Sequence, residues 1–163
     1  MAGASGGINL AIAASLAAAG AKVAVVSRDP GRIEAAAQSI RDAGDEALGL
    51  AADVRDYAQV EAAIVKTAQA FGSLDIVISG AAGNFLAPAS GLSANGFKTV
   101  IDIDLIGTFN VLRASFDHLT KPGASLISIT APQGVRATVN QAHACAAKAG
   151  VNMLTKVLAL EWG

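Results

Sequence analysis

Residues 2–13 read AGASGGINLAIA and run directly into the helical pattern ASLAAAG at 14–20. A glycine-rich turn that opens a helix leaves backbone N–H groups free at the helix N-terminus, where the helix dipole favours an anion. Glycine is needed there because a Cβ would hold a phosphate away from the backbone. The spacing Gly3-x-x-x-Gly7-x-Asn9 departs from the G-x-G-x-x-G fingerprint. By itself, the turn therefore fits either a phosphate site or an ordinary turn before a helix.

The composition is that of a folded chain with a large core. The length of 163 residues predicts one domain. Of these residues, 53% are hydrophobic and 15% are charged. The net charge of −1 gives no reason to expect nucleic acid or an anionic membrane as a partner. Cys145 is the single cysteine, so no internal disulfide can form, and the two histidines are too far apart in sequence to suggest a metal site.

Strand and helix signals alternate along the chain. Apolar runs predict strands at Lys22–Ser27, Glu46–Ala51, Leu74–Ser79 and Ser125–Ile129. Such near-continuous apolar strands are typical of a parallel sheet that is covered on both faces. We therefore predict an α/β fold, a Rossmann-like doubly wound parallel sheet with helices on both faces. Its ligands are expected beyond the carboxyl ends of the strands.

Capping residues mark where the helices begin. Asp29-Pro30 predicts a helix that runs to Ala43, Asp56 one that ends at Phe71-Gly72, and Ser93 a long helix that Pro122-Gly123 ends. The last helix is predicted over Asn140–Trp162. Seven apolar residues of the long helix are predicted to share roughly one face: Phe97, Ile101, Leu105, Phe109, Leu112, Phe116 and Leu119.

The two ends of the sequence look incomplete for this fold. Only Met1 and Ala2 precede the glycine turn, yet that turn should follow a strand that is central in sheets of this type. No strand follows the last helix. We expect residues 1–163 to be a single dinucleotide-binding domain that is truncated at both ends.

Together, these landmarks resemble the short-chain dehydrogenase/reductase family over the whole chain. They are AGASGGI at 2–8, Asp53-Val54, SGAAG at 79–83 and Lys148. Three segments are similar to the 2,4-dienoyl-CoA reductases of the peroxisomal type and their bacterial relatives: GAAGNFLAP (80–88), FKTVIDIDLIGTFNV (97–111) and HACAAKAGVNMLTKVLALEWG (143–163).

The resemblance implies a nicotinamide dinucleotide, and Arg28 selects its type. A guanidinium directly after the second strand of the family suits the 2′-phosphate of NADP(H), whereas NAD would favour a carboxylate there. Arg28 could instead be a solvated residue at a strand end, and Asp53 could be an ordinary turn residue. The implied cofactor residues are Gly3, Ser5, Gly7, Ile8, Ser27, Arg28, Asp53, Val54, Ala81, Ala82, Gly83 and Lys148.

The catalytic positions depart from the general family pattern. Typical members use a tyrosine four residues before the lysine, but here Ala144 precedes Lys148 at that spacing, and Ala131 stands at the serine position. Asp104 stands at the asparagine position, as in the dienoyl-CoA reductases. The resemblance implies NADPH-dependent reduction of a 2,4-dienoyl-CoA to a 3-enoyl-CoA. Asp104 would supply a proton directly or through water, and Lys148 would hold the nicotinamide ribose.

Four further residues are candidates for contact with an acyl-CoA substrate, and each has a simpler interpretation. They are Asn84, Phe85, Thr130 and His143. Asn84 and Phe85 could form a turn with an apolar anchor, Thr130 could end a strand, and His143 could be a polar residue at a helix start. Another tyrosine-less NADP-dependent reductase and a non-catalytic dinucleotide-binding module remain alternatives. The family also suggests a homo-oligomer, dimer or tetramer, that is cytoplasmic in a bacterium and peroxisomal in a eukaryote.

Overall fold

The computed structural model describes residues 1–163 as six helices and four strands. The strands are β1 (Val23–Ser27), β2 (Ala47–Ala51), β3 (Ile76–Ser79) and β4 (Ser125–Ser128). The helices are α1 (Gly7–Ala18), α2 (Pro30–Asp42), α3 (Tyr57–Phe71), α4 (Ala94–Ile101), α5 (Gly107–Ser115) and α6 (Ala142–Trp162). No helix is long and apolar enough to cross a membrane.

All strand pairing is parallel. β1 pairs with β2 and β3 pairs with β4. Ala2 bridges the two pairs through parallel contacts to Val26 and Ser79, which gives the order β2–β1–Ala2–β3–β4. The residues before the glycine turn thus lie in the centre of the sheet, as predicted. An apolar cleft of about 400 Å³, lined by Met1 and by residues of β1 and β3, lies between these two strands.

Each of the three predicted capping residues stands directly before the first residue of its helix. The side chain of Asp29 accepts a hydrogen bond from the Arg32 N–H, and Asp56 and Ser93 do the same for α3 and α4. Pro30 occupies the first turn of α2, where its missing N–H has no intrahelical partner to lose. Local side-chain chemistry therefore fixes these three helix starts.

Burial differs between the strands more than the apolar runs suggest. Four of the five β1 residues are buried, whereas β2 is partly buried and exposed at its end, and β4 alternates between exposed and partly buried residues. β2 and β4 lie at the two ends of the strand order, so each has a parallel partner on one side only. β2 nevertheless packs against both α2 and α3.

The prediction of one uninterrupted helix after Ser93 is wrong. A π-helical turn, Asp102–Ile106, separates α4 from α5. Because a π turn adds a residue to the helical repeat, it changes which residues face the core on its two sides. Phe97 before the turn is 38% exposed and Phe109 after it is 40% exposed, so the predicted apolar face is not buried as a whole.

Leu112 tests how strongly the core depends on α5. Leu112 is 1% exposed within the cluster that packs β3, α3 and α5 together, whereas Leu160 on α6 is 88% exposed. We expect Leu112→Ala to lower the free energy of unfolding by about 2–5 kcal/mol through lost burial and a cavity. Leu160→Ala should change it by less than about 0.5 kcal/mol. Urea unfolding followed by circular dichroism measures both, and equal effects would contradict this placement of the core.

Candidate active site

The glycine turn brings the backbone of residues 3–7 against the loop that follows β3. Gly3 and Gly7 adopt positive φ angles of 78° and 60°. A Cβ on Gly3 would lie 2.6 Å from backbone atoms of Ala81, so no other residue fits there without a shift. Gly6, which caps α1, provides no side-chain hydrogen bond. The first N–H groups of α1 thus have no side-chain acceptor and can receive an anion.

Most of the predicted cofactor residues line one groove. This cavity of about 280 Å³ lies at the carboxyl ends of the strands. Its lining is Gly3, Ser5, Asn9, Ser27, Arg28, Ala52, Asp53, Val54, Gly80, Ala81, Ala82, Gly83 and Ile103. Gly7 and Ile8 lie outside that lining, at the start of α1, where the Ile8 side chain is 76% exposed. The glycine turn and Arg28 therefore share one side of the molecule.

An open polar cavity of about 520 Å³ adjoins the groove through Ser5, Ser27 and Arg28. It also contains Arg32, which the sequence analysis did not identify. A terminal guanidinium nitrogen of Arg32 lies 4.0 Å from the position that a Cβ on Gly6 would take. The predicted cap at Asp29 already placed Arg32 in the first turn of α2, and this was the available signal.

The charges around this polar cavity suit a phosphate. The six ion pairs of the molecule use other lysines and arginines, so Arg28 and Arg32 make no ion pair within 4.0 Å. The lining also contains one carboxylate, that of Asp29, which caps α2. The Ser27 hydroxyl is buried and lacks a hydrogen-bond partner. Two unpaired guanidinium groups and an unpartnered hydroxyl leave donor capacity for an anion at this place.

Asp53 has a partner within the chain. Its carboxylate accepts hydrogen bonds from Nε of Arg55 at 3.0 and 3.1 Å and from the Arg55 backbone N–H at 3.0 Å. The Arg55 side chain, through its hydrogen bonds, holds the pKa of the Asp53 carboxyl below its usual value, although partial burial opposes this shift. Asp53 thus forms a turn with Arg55 and at the same time lines the groove.

A buried ion pair joins Asp104 to Lys148. Asp104 Oδ2 lies 3.1 Å from Lys148 Nζ, and Asp104 Oδ1 accepts a hydrogen bond of 2.7 Å from the backbone N–H of Gly83. Asp104 and Lys148 are 2% and 8% exposed. Lys148 also donates to the carbonyl of Ile129 at 3.3 Å. Both carboxylate oxygens of Asp104 therefore face hydrogen-bond donors, and the pair ties the π turn to α6 and to the ends of β3 and β4.

The π turn determines where Asp104 points. The Thr108 hydroxyl donates to the Asp104 carbonyl at 2.7 Å, and Ser79 on β3 bonds to the same hydroxyl at 3.1 Å. Gly107 packs against Val54, where a Cβ would lie 2.6 Å from a Val54 methyl group. Asp102, two residues from Asp104, instead pairs with Lys98 on the exposed side. The two aspartates thus face different directions, as their spacing predicts.

Three of the four candidate substrate residues take part in two side-chain contacts, and the fourth, Thr130, takes part in neither. The Phe85 and His143 rings meet edge to face with centroids 4.5 Å apart. Asn84 donates to Gln141 Oε1 at 2.9 Å, which joins the loop after β3 to the start of α6. Thr130 is exposed, and its side chain makes no hydrogen bond. His143 is 0% exposed and neither ring nitrogen has a hydrogen-bond partner, although buried polar groups are normally paired.

Ala144 and Ala131 stand where the resemblance implies a tyrosine and a serine, and neither offers a polar side chain. Ala144 is 5% exposed and packs with Val100 and Ala147. Tyr57, the single tyrosine, lies at the start of α3 and packs against the core cluster that contains Val54. No group of three or more His, Cys, Asp or Glu side chains is arranged to hold a metal ion.

A dinucleotide cofactor fits the residues present. The uncapped start of α1, the close approach that Gly3 makes to Ala81, and the unpartnered Ser27 hydroxyl are features that a bound phosphate-bearing ligand would explain. Ala81, Ala82 and Gly83 also line the groove, and no large side chain fills it at these three positions.

Comparison with known proteins identifies the family. The family model described as "short chain dehydrogenase" matches residues 1–163. The chain belongs to the short-chain dehydrogenase family. It is 44% identical over 163 residues to a rat protein named peroxisomal 2,4-dienoyl-CoA reductase, and the match covers 99% of the chain and 56% of the relative. The chain therefore spans little more than half the length of that relative.

Solved structures of short-chain dehydrogenases have the same fold. A short chain dehydrogenase from Bacillus anthracis matches with a TM-score of 0.92 and 35% identity, over 99% of this chain and 68% of the other. An actinorhodin polyketide ketoreductase with NADPH matches with a TM-score of 0.94 and 28% identity, over 98% of this chain and 62% of the other.

The buried pair makes a stability prediction. Lys148→Met should lower the free energy of unfolding by about 3–5 kcal/mol, because it leaves the Asp104 carboxylate buried without its cation. The double substitution Lys148→Met/Asp104→Leu should recover much of that loss. Lys98→Met, which breaks the exposed Lys98–Asp102 pair, is the matched control and should cost less than about 1 kcal/mol. Urea unfolding curves measure all three, and equal losses for the two single variants would show that burial of the pair has no such effect.

Proposed function

We propose that the protein reduces 2,4-dienoyl-CoA thioesters to 3-enoyl-CoA with NADPH, in the degradation of unsaturated fatty acids. One observation carries the proposal: Lys148 forms a buried ion pair with Asp104, and the residue four positions before Lys148 is Ala144 rather than a tyrosine. Without a phenol, the protonation of an alkoxide lacks its usual donor. Reduction of a conjugated thioester places the proton on carbon instead, and relatives that bear the dienoyl-CoA reductase name support this choice.

The cofactor half of the proposal assigns NADP(H). Gly3, Ser5, Gly7 and Ile8 would hold the pyrophosphate at the start of α1. Ser27 and Arg28 would bind the 2′-phosphate, since a guanidinium matches a phosphate in geometry and charge. The adenine would lie beside Asp53 and Val54, and Ala81, Ala82 and Gly83 would form the small-residue wall of the groove. Lys148 would contact the nicotinamide ribose.

When bound, NADPH supplies the hydride that adds to the far end of the dienoyl system. Negative charge then develops on the thioester oxygen, and the Lys148 ammonium stabilises it through its positive potential. Asp104 holds this ammonium in place and takes part in delivering the proton to carbon. Because both Asp104 oxygens already accept from donors, the carboxylate itself has no proton to give. We therefore assign the proton to a water molecule held beside Asp104, which donates a proton to carbon and regains one from bulk solvent.

The acyl thioester would lie over the loop after β3 and the start of α6. Asn84, Phe85, Thr130 and His143 are the proposed contacts. The strongest support is His143, whose ring nitrogens are both unpaired in the fully buried imidazole. A thioester oxygen or a bound water would satisfy one of them.

We also propose that the protein acts as a homo-oligomer, either a dimer or a tetramer. Exposed apolar side chains lie along the helices that the family suggests as subunit contacts: Phe109 at 40%, Met153 at 59% and Leu160 at 88% exposure. The location is peroxisomal if the source is a eukaryote, as the names of the eukaryotic relatives support, and cytoplasmic if it is a bacterium.

A second candidate is another NADP-dependent reductase that works without a tyrosine. A relative named D-threitol dehydrogenase from Mycolicibacterium smegmatis, 37% identical over 162 residues, supports a polyol or ketone in place of an acyl-CoA substrate. Absorbance at the NADPH band separates the candidates. Oxidation of NADPH with a dienoyl-CoA but not with a ketone supports the first, and turnover of a ketone or polyol supports the second. NADPH binding without turnover of either would indicate a non-catalytic dinucleotide-binding module.

Asp104 provides the direct test of the mechanism. We expect Asp104→Ala to abolish turnover of a dienoyl-CoA and to leave NADPH affinity within about three-fold, since the carboxylate acts on Lys148 and the proton rather than on the pyrophosphate. Turnover is followed by NADPH absorbance and affinity by NADPH fluorescence. Urea unfolding is measured as well, because Asp104→Ala leaves the buried Lys148 ammonium without its anion, and lost turnover counts only for folded protein. Asp102→Ala, which removes the exposed aspartate of the same turn, is the control and should keep its activity. Unchanged turnover in Asp104→Ala would remove Asp104 from the mechanism.

Arg28 and Arg32 test the choice of cofactor. We expect Arg28→Ala to weaken NADPH binding by roughly ten- to hundred-fold and NADH binding hardly at all, because only the 2′-phosphate contacts this cation. Arg32→Ala should have a smaller effect of the same kind. Arg41→Ala is the control, because Arg41 lies in the last turn of α2 and outside the lining of the cavity. It should leave the affinity for both dinucleotides unchanged. Equal losses for the two dinucleotides would contradict a 2′-phosphate site.

A further inference from the structure

Asn9 joins the two segments that form the walls of the groove. Its side-chain nitrogen donates to the carbonyl of Gly3 in the glycine turn at 3.1 Å, and to the carbonyl of Gly80 after β3 at 2.7 Å. A primary amide carries two N–H donors, so both are used. The side chain therefore fixes the spacing between the turn and the loop from a position on α1, six residues from one partner and 71 from the other.

Gly80 provides the space that Asn9 occupies. A Cβ on Gly80 would lie 2.5 Å from Oδ1, 2.7 Å from Nδ2 and 2.8 Å from Cγ of Asn9. Gly80 does not adopt a positive φ angle, so its backbone conformation is open to other residues. Glycine is thus needed at position 80 only because a Cβ there would clash with the Asn9 side chain.

We propose that the Asn9–Gly80 pair sets the width of the cofactor groove and that Asn9 is a positioning residue for NADP(H). This inference rests on the proposed function. Asn9 lies in the lining of the groove between Gly3 and Gly80, where Gly3 already approaches Ala81 at contact distance. Loss of the amide would leave the backbone hydrogen bond from the Gly80 N–H to the Ala2 carbonyl but remove both side-chain hydrogen bonds between the turn and the loop. The N–H groups of the turn would then meet the phosphates in a less fixed arrangement.

The test is a double-mutant cycle on the natural protein, with the NADPH dissociation constant read from NADPH fluorescence. Asn9→Leu keeps the volume and removes both donors, and we expect about ten-fold weaker binding, the size expected for one or two lost hydrogen bonds. Gly80→Ala should weaken binding to a similar extent, because its Cβ displaces the amide. In an Asn9→Gly background, where the space is free, Gly80→Ala should have little further effect.

Two measurements separate positioning from stability. Thermal unfolding is recorded for every variant, and Gln38→Leu, which removes an exposed carboxamide from α2, is the control with unchanged NADPH affinity. A lower unfolding temperature for the Asn9 and Gly80 variants with unchanged NADPH dissociation constants would overturn the positioning role. Strictly additive effects of Asn9→Gly and Gly80→Ala on the free energy of NADPH binding would overturn it as well. If the unsubstituted protein bound no NADPH, the proposed function would fail together with this inference, which distinguishes that outcome from failure of the Asn9–Gly80 pair alone.

Discussion

The buried carboxylate of Asp104 is the contact on which the arrangement of the candidate site depends. It lies between the Gly83 N–H and the Lys148 ammonium, so it connects the loop after β3 with α6. A charge in such a place is stable only when donors surround it, and each donor comes from a different part of the chain. The π turn that carries Asp104 is in turn held to β3 by the Thr108 and Ser79 hydroxyls. Fold and site are thus joined by one polar network.

Local signals in the sequence predicted most of the fold. The caps at Asp29, Asp56 and Ser93 and the apolar strands are short-range features, and they gave the order of elements and the parallel sheet. The π turn was not predictable, because no helix-breaking residue marks it and the contacts of Asp104 and Gly107 across the fold are visible only in the structure. The apolar periodicity of that segment predicts one continuous face, from which the exposed Phe97 and Phe109 depart.

The candidate site was predictable to a similar extent. Residues that follow strands were expected at one edge, and Gly3, Arg28, Asp53 and Gly83 do line one groove there. Asn9 and Arg32 were missed for different physical reasons. Asn9 stood out only as a departure from a glycine pattern, and its two carbonyl partners are visible only once the chain is folded. Arg32 had a predicted place in the first turn of α2, but no spacing rule links that turn to Gly6.

The contact between Phe85 and His143 has a consequence for how a ligand enters. The imidazole is fully buried, whereas the Phe85 ring that meets its edge is 43% exposed. Rotation of an exposed side chain takes picoseconds to nanoseconds, far faster than domain closure. Rotation of the Phe85 side chain would therefore remove its edge-to-face contact with the imidazole on this timescale, without any movement of the backbone.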